Sequence, residues 1–147
     1  MVGAAHDQRE RAQDGRRQRL APAGTHDYSL LYPLLDITTT LDPYFNIAYR
    51  FGAIFLSEPP PGGPGRADHA VALLRKGIAA QPAKWQYYHD IAFVHYWALR
   101  DPITAAEWFR RAAEQPGAPN WLMPVAAAML TQGSDLGIEA YYEGAAV

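Results

Sequence analysis

Residues 101–115 read Asp-Pro-Ile-Thr-Ala-Ala-Glu-Trp-Phe-Arg-Arg-Ala-Ala-Glu-Gln. Asp101 followed by Pro102 starts a helix. The carboxylate accepts hydrogen bonds from the free N–H groups of the first turn, where proline's missing donor is not needed. Ala105, Trp108, Phe109 and Ala112 then recur at spacings of three and four, which a helix gathers on one inward face. Inside that face lies a shorter pattern: small, large, small at Ala105, Phe109 and Ala112. It occurs again upstream as Ala70, Leu74 and Gly77, and downstream as Gly137, Tyr141 and Gly144, with the sets starting 35 and 32 residues apart. Small residues let two helices approach closely, and the large one between them fills the gap to the next pair. Three such sets imply one helix pair used repeatedly.

The rest of the chain is punctuated in the same way. Segment 29–41 carries Leu30, Leu34, Ile37 and Leu41 on one stripe, and 43–57 carries Ile47, Phe51, Ile54 and Phe55; both stripes are expected to face inward. Asp42-Pro43 stops the first segment and, like Asp101-Pro102, is expected to cap and start the second, and Pro59 to Gly65 breaks the chain with three prolines in a row and flexible glycines. Segment 66–80 gathers Ala70, Leu73, Leu74, Gly77 and Ile78. Gln81-Pro82 ends it, and 84–99 follows with Tyr88, Ile91, Ala92, His95 and Tyr96. After 102–115, Pro116 to Pro119 is another break. Asn120 is then placed to cap 121–131, and Gly133 to Asp135 leads to a last segment, 135–144. No stretch alternates cleanly enough for a strand, so the expected class is all-α with seven helices.

The chain resembles the tetratricopeptide-repeat family over about residues 29–147. The triple spacing lies near the 34-residue period of that family. Phe51-Gly52 and Ile91-Ala92 are similar to its large–small pair, and Phe55 and His95-Tyr96 stand where an aromatic is usual. Trp121 resembles its early tryptophan. Pro82 and Pro116 resemble its closing proline, as does Leu41-Asp42-Pro43 for a preceding half-repeat. Departures are the long connection from Ser57 to Arg66, His95 itself, Pro124 inside a first helix and two glycines in the last helix. The resemblance implies a right-handed α-solenoid of antiparallel helix pairs, about three and a half repeats. A solenoid needs a polar cap, and none precedes Val147, so the expectation is either a fragment of a longer repeat protein or a partner or second copy over the C-terminal helix.

Composition bounds the function. The chain has 147 residues, 49% hydrophobic and 19% charged, with 13 basic and 15 acidic residues for a net charge of −2. That balance lacks the positive field of most nucleic-acid binders, so no nucleic-acid partner is expected. Absence of cysteine removes disulfides, thiolate metal sites and a cysteine nucleophile. No apolar run is long enough to span a bilayer, and the start has no apolar core of a secretory signal, so the cytoplasm is the expected location. Residues 1–27 hold none of the 4 Trp, 9 Tyr and 5 Phe, but Arg9, Arg11, Arg16, Arg17 and Arg19 among Asp7, Glu10 and Asp14. Such a stretch cannot bury enough surface to offset its ordering entropy, so 1–27 reads as a disordered basic arm and 28–147 as the helical domain.

The sequence carries few of the motifs that chemistry requires. Gly62-Gly63-Pro64-Gly65-Arg66 lacks the lysine–hydroxyl pair of a phosphate loop. His89 and His95 are six apart, not at the four-residue spacing of a helical zinc pair, and His89-Asp90 neighbours diverge on a helix. Glu107, Glu114, Arg110 and Arg111 read as a solvated ion-paired face. No catalytic residue, metal ligand or cofactor is expected, and no enzyme activity. What remains is surface. In the resembled family the first helices of successive pairs line a concave groove for a peptide or partner helix. Carried onto this chain, that face holds Asn46, Tyr49, Arg50, Ala53, Gln86, His89, Asp90, Phe93, Tyr96, Trp97, Leu122, Ala126 and Met129. Asn46, Tyr49, Arg50, Gln86, His89, Phe93, Tyr96 and Trp97 are its expected partner-binding residues, because aromatic and Arg side chains combine contact area with a polar handle. The groove lacks the basic residues that clamp a terminal carboxylate, holding Tyr49, Ala53, Asp90, Pro119 and Met123 instead. The expected function is therefore a non-catalytic scaffold or adaptor for a protein or peptide. A self-stacking assembly subunit and a small ligand-binding or enzyme domain using His89, Asp90 and His95 are the alternatives.

Overall fold

The computed structural model describes residues 27–132 and 141–145. The expected basic arm, 1–27, therefore lies almost wholly outside the described residues, as do Gly137 and most of the expected last helix. Six helices are described in full: α1 (Leu31–Leu41), α2 (Asn46–Ser57), α3 (Ala67–Ala80), α4 (Trp85–Trp97), α5 (Pro102–Ala113) and α6 (Leu122–Gln132). Residues 141–145 are also helical, and no strand occurs among the described residues, so the described fold is all-helical. Each helix packs on the next, and α1 also touches α3 while α2 touches α4.

The punctuation acts as its chemistry requires. Asp101 accepts hydrogen bonds from the Thr104 amide (3.1 Å) and hydroxyl (2.5 Å), with Pro102 in the first position of α5. Asp42 works differently from expectation. Its carboxylate accepts from the Tyr44 amide (3.0 Å) within a turn, so α2 starts at Asn46 and not at Pro43. In the connection after α2, Gly65 takes a φ of +64°, which lets its amide reach the Glu58 carbonyl at 2.8 Å. The Tyr28 hydroxyl ties this loop down through the Gly62 carbonyl at 2.8 Å.

Two of the three small–large–small triplets lie in the core; of the third, Gly137 is outside the described residues and Tyr141 and Gly144 are partly buried. Ala70, Leu74 and Gly77 are buried in α3, and Ala105, Phe109 and Ala112 in α5. At Gly77 an added Cβ would meet the rings of Tyr87 and Tyr49 at 3.0–3.2 Å, which shows how closely three helices converge there. α4 is aromatic around its whole circumference and has neighbours on several sides: α2, α3 and α5.

The first two helices reverse the expected polarity. Leu30, Leu34, Ile37 and Leu41 are exposed on α1, as are Ile47, Phe51, Ile54 and Phe55 on α2. The buried residues are instead Thr39 on α1 and Ala48, Tyr49, Gly52, Ala53 and Leu56 on α2. Close approach decides this: a Cβ on Gly52 would lie 2.8 Å from Leu35 Cδ1 and 3.1 Å from Leu73 Cδ2, so only the small-residue face fits. Thr39 is tolerated inside because its hydroxyl donates to the Leu35 carbonyl four residues back at 2.8 Å.

Candidate functional site

Three cavities lie in a row and share walls. The first, about 230 Å3, is lined by Asn46, Ile47, Arg50, Phe51, Ile54 and Lys84. The second, about 200 Å3, takes over at Arg50 and Ile54 and adds Ala53, His89, Asp90, Phe93, Val94 and Tyr141. The third takes over at Phe93 and Tyr141 and adds Tyr96, Trp97, Phe109, Met129 and Tyr142, but at about 10 Å3 it is a packed aromatic seam with room for no more than a water. The row runs from α2 across α4 to α6 and the helical residues 141–145.

A polar network sets the middle of this row. Arg50 Nε donates to Asp90 Oδ2 at 2.7 Å and Nη2 to Asp90 Oδ1 at 3.1 Å. The pair raises the Arg50 pKa further, chiefly through these hydrogen bonds. His89 Nδ1 lies 2.9 Å from Asp90 Oδ1, and His89 Nε2 lies 3.2 Å from the Tyr141 hydroxyl. The expectation that His89 and Asp90 diverge on their helix is thus corrected: Asp90 turns to meet Arg50, which brings one oxygen within reach of the imidazole. His89 is walled by rings on every side, with centroids of Trp85, Phe109, Trp121 and Tyr141 at 5.7–6.0 Å. Burial raises the Tyr141 pKa.

The expected partner-binding residues divide. Arg50, His89 and Phe93 meet in the central cavity, Asn46 lines the first, and Tyr96 and Trp97 line the third. Phe93 stacks on Trp97 at 6.2 Å with planes 6° apart. Gln86 lines none of the three. Tyr49 is fully buried, its ring 5.3 Å from that of Tyr87, so its placement on an accessible groove is corrected. It points inward because Gly77 leaves room there. Ala53, Leu122, Ala126 and Met129 are buried too. The Asn46 side-chain carbonyl is held from within by the Tyr87 hydroxyl (2.5 Å) and by Gln81 Nε2 (2.9 Å). Burial pushes the Tyr87 pKa up to about 12.

Sequence reasoning missed Ile47, Phe51, Ile54, Lys84, Tyr141 and Tyr142 as cavity walls. The first three were read as core, and Tyr141 as a packing residue within its triplet. It also missed a cavity of about 520 Å3 between Tyr28, Tyr32, His69, Arg66 and the proline loop. There Arg66 is paired with Asp68 and His69 stacks on Tyr32 at 4.2 Å. On α5, Arg110 pairs with Glu107 and Glu114, as expected, but Arg111 lies 4.2 Å over the Trp108 ring instead.

Among the described residues no group of three or more His, Asp or Glu is placed to hold a metal, and no helix is long and apolar enough to cross a membrane. Compared with known proteins, the chain matches no family model, no curated protein and no solved structure.

Proposed function

We propose that this chain is a non-catalytic adaptor built from tetratricopeptide-like helix pairs, and that it holds an extended peptide or partner segment along its row of cavities. The observation that carries this reading is the continuity of the row. Each cavity shares two wall residues with the next, Arg50 and Ile54 first, then Phe93 and Tyr141. Two joined cavities of side-chain size, about 230 and 200 Å3, continued by the closed Phe93–Trp97 aromatic seam, suit neighbouring side chains of one extended segment better than one compact ligand. Its walls are mostly apolar and aromatic, with Asn46 and Lys84 at the first cavity, and its buried acid is neutralised by Arg50. The fitting partner therefore presents apolar or aromatic side chains at intervals, with few charges.

The test is selection of a displayed random peptide library on the full chain, followed by affinity measurement on two variants. Ile54→Glu and Phe93→Ala each change a wall of the row, and each is expected to weaken selected peptides by about tenfold or more. Failure to enrich any peptide, or binders indifferent to both variants, would overturn the reading.

A further inference from the structure

α1 and α2 leave a second apolar surface, on the side away from the body of the fold. Leu34, Ile37 and Leu41 stand out from α1, and Ile47, Phe51 and Phe55 from α2, with exposures from 55% to 82%. Between the two helices lies a cleft of about 330 Å3 with Leu31, Leu35 and Thr38 on the α1 side, the small residues Ala48 and Gly52 at its floor, and Ile47, Phe51 and Phe55 as its α2 wall. The surface therefore carries both a ridge, the i, i+4 row of Ile47, Phe51 and Phe55, and beside it a groove with small residues at its floor. Ridges packing into grooves of this kind are how helices meet.

The face is also free of unbalanced charge. The acidic and basic residues of the two helices are Asp36 and Arg50, and each is neutralised by an ion pair while staying partly exposed, Asp36 at 51% and Arg50 at 39%. Lys76 Nζ lies 2.8 Å from Asp36 Oδ1, and Arg50 is held by Asp90. A surface with its own knob, its own hole and no unbalanced charge to repel its image is self-complementary, which a two-fold interface requires. The six side chains named above expose on the order of 600–700 Å2, and Leu30 and Phe45 extend the patch, so its size approaches the roughly 800 Å2 per partner of a standard interface. Residues 1–26 are poorly suited to cover it, since Met1, Val2 and Leu20 are their only large apolar side chains.

We propose that the apolar face of α1 and α2 docks a second copy of this chain in a closed two-fold pair, with the ridge of each copy seated in the cleft of the other. This does not rest on the peptide row. Ile47 and Phe51 border both surfaces, so the test uses residues belonging to the face alone.

The experiment is sedimentation velocity of the full chain across the micromolar range, with circular dichroism as the check on folding. The wild type is expected to sediment as a dimer. Leu34→Glu and Phe55→Glu, both at exposed positions, are expected to keep wild-type helicity and raise the dissociation constant by about tenfold or more. Met123→Glu, exposed on the distant α6, is expected to dimerise as the wild type does. A wild type that stays monomeric overturns the proposal, as does a Leu34 or Phe55 variant that still dimerises. Open-ended growth to larger species, or loss of the dimer in Met123→Glu, overturns it equally.

Discussion

Arg50 on α2 and Asp90 on α4, 40 residues apart, meet through two parallel hydrogen bonds of 2.7 and 3.1 Å. This pair joins the first and second halves of the fold at the midpoint of the cavity row. The Asp90 side chain is only 9% exposed, whereas Arg50 is 39% exposed. Removing the arginine strands a carboxylate with His89 as its remaining partner, while water partly screens the loss. Arg50→Ala is expected to destabilise by about 2 kcal/mol in urea unfolding. Arg50→Lys should recover at most about half of that, because an ammonium cannot supply the paired geometry. Full recovery by lysine would mean that charge alone, and not the fork, holds the helices.

Two glycines make opposite predictions from similar crowding. A Cβ at Gly77 would press on the rings of Tyr87 and Tyr49 at 3.0–3.2 Å, and neither buried ring can step aside. Gly77→Ala is expected to cost about 1–2 kcal/mol net, overpacking outweighing the gain of roughly 1 kcal/mol in helix propensity. A Cβ at Gly52 comes even closer, 2.8 Å, but to the methyl tips of the half-buried Leu35, which can change rotamer; the buried Leu73 Cδ2 at 3.1 Å has to give by only a few tenths of an ångström. Gly52→Ala is expected to stay within about 0.5 kcal/mol of wild type. Thermal melts of the two variants side by side decide it, and equal losses would refute the distinction.

Much of the fold was legible because small residues at fixed spacing report close packing, which hydropathy alone does not. The triplets at Ala70 and Ala105 landed in the core for that reason, and Asp101-Pro102 started its helix as its chemistry dictates. The polarity of α1 and α2 was not legible, because both faces of α2 are apolar and periodicity cannot say which one is covered. Gly52 held the clue: the small residue beside Phe51 marks the packed face, so the phenylalanine stands outside. The cavity row was half legible. Arg50, His89 and Phe93 share one helix-pair register, but Tyr141 reaches His89 from 52 residues away, a relation no local pattern encodes.

His95 gives a pH dependence with a defined sign. Its Nδ1 is buried without a hydrogen-bond partner, and burial lowers its pKa. Nearby Asp101 opposes that shift and Arg75 adds to it. The unfolded chain therefore binds more protons through this group below its free value of about 6.5, and stability rises with pH across that window. On acidification from about pH 7.5 to about pH 5.5 the wild type should lose more Tm than His95→Leu, in which this titration is gone. A variant that falls as steeply as the wild type would assign the dependence to other groups.

Tyr141 closes the central and third cavities, so its role separates cleanly into ring and hydroxyl. The ring stacks on His89 at 5.7 Å and meets Trp121 edge-on at 5.5 Å, while the hydroxyl makes the 3.2 Å contact with His89 Nε2. Tyr141→Phe keeps every ring contact and gives up one hydrogen bond, a loss of about 1 kcal/mol or less. Tyr141→Ala removes the wall itself and frees residues 141–145 from Trp121, whose Cβ lies beside Gly144. That variant should lose about 2–4 kcal/mol, shift the Trp121 fluorescence to the red, and bind selected peptides more weakly. Tyr141→Phe should bind them as the wild type does. If the phenylalanine variant lost as much affinity as the alanine one, the hydroxyl, and through it the His89–Asp90–Arg50 chain, would be the element the peptide reads.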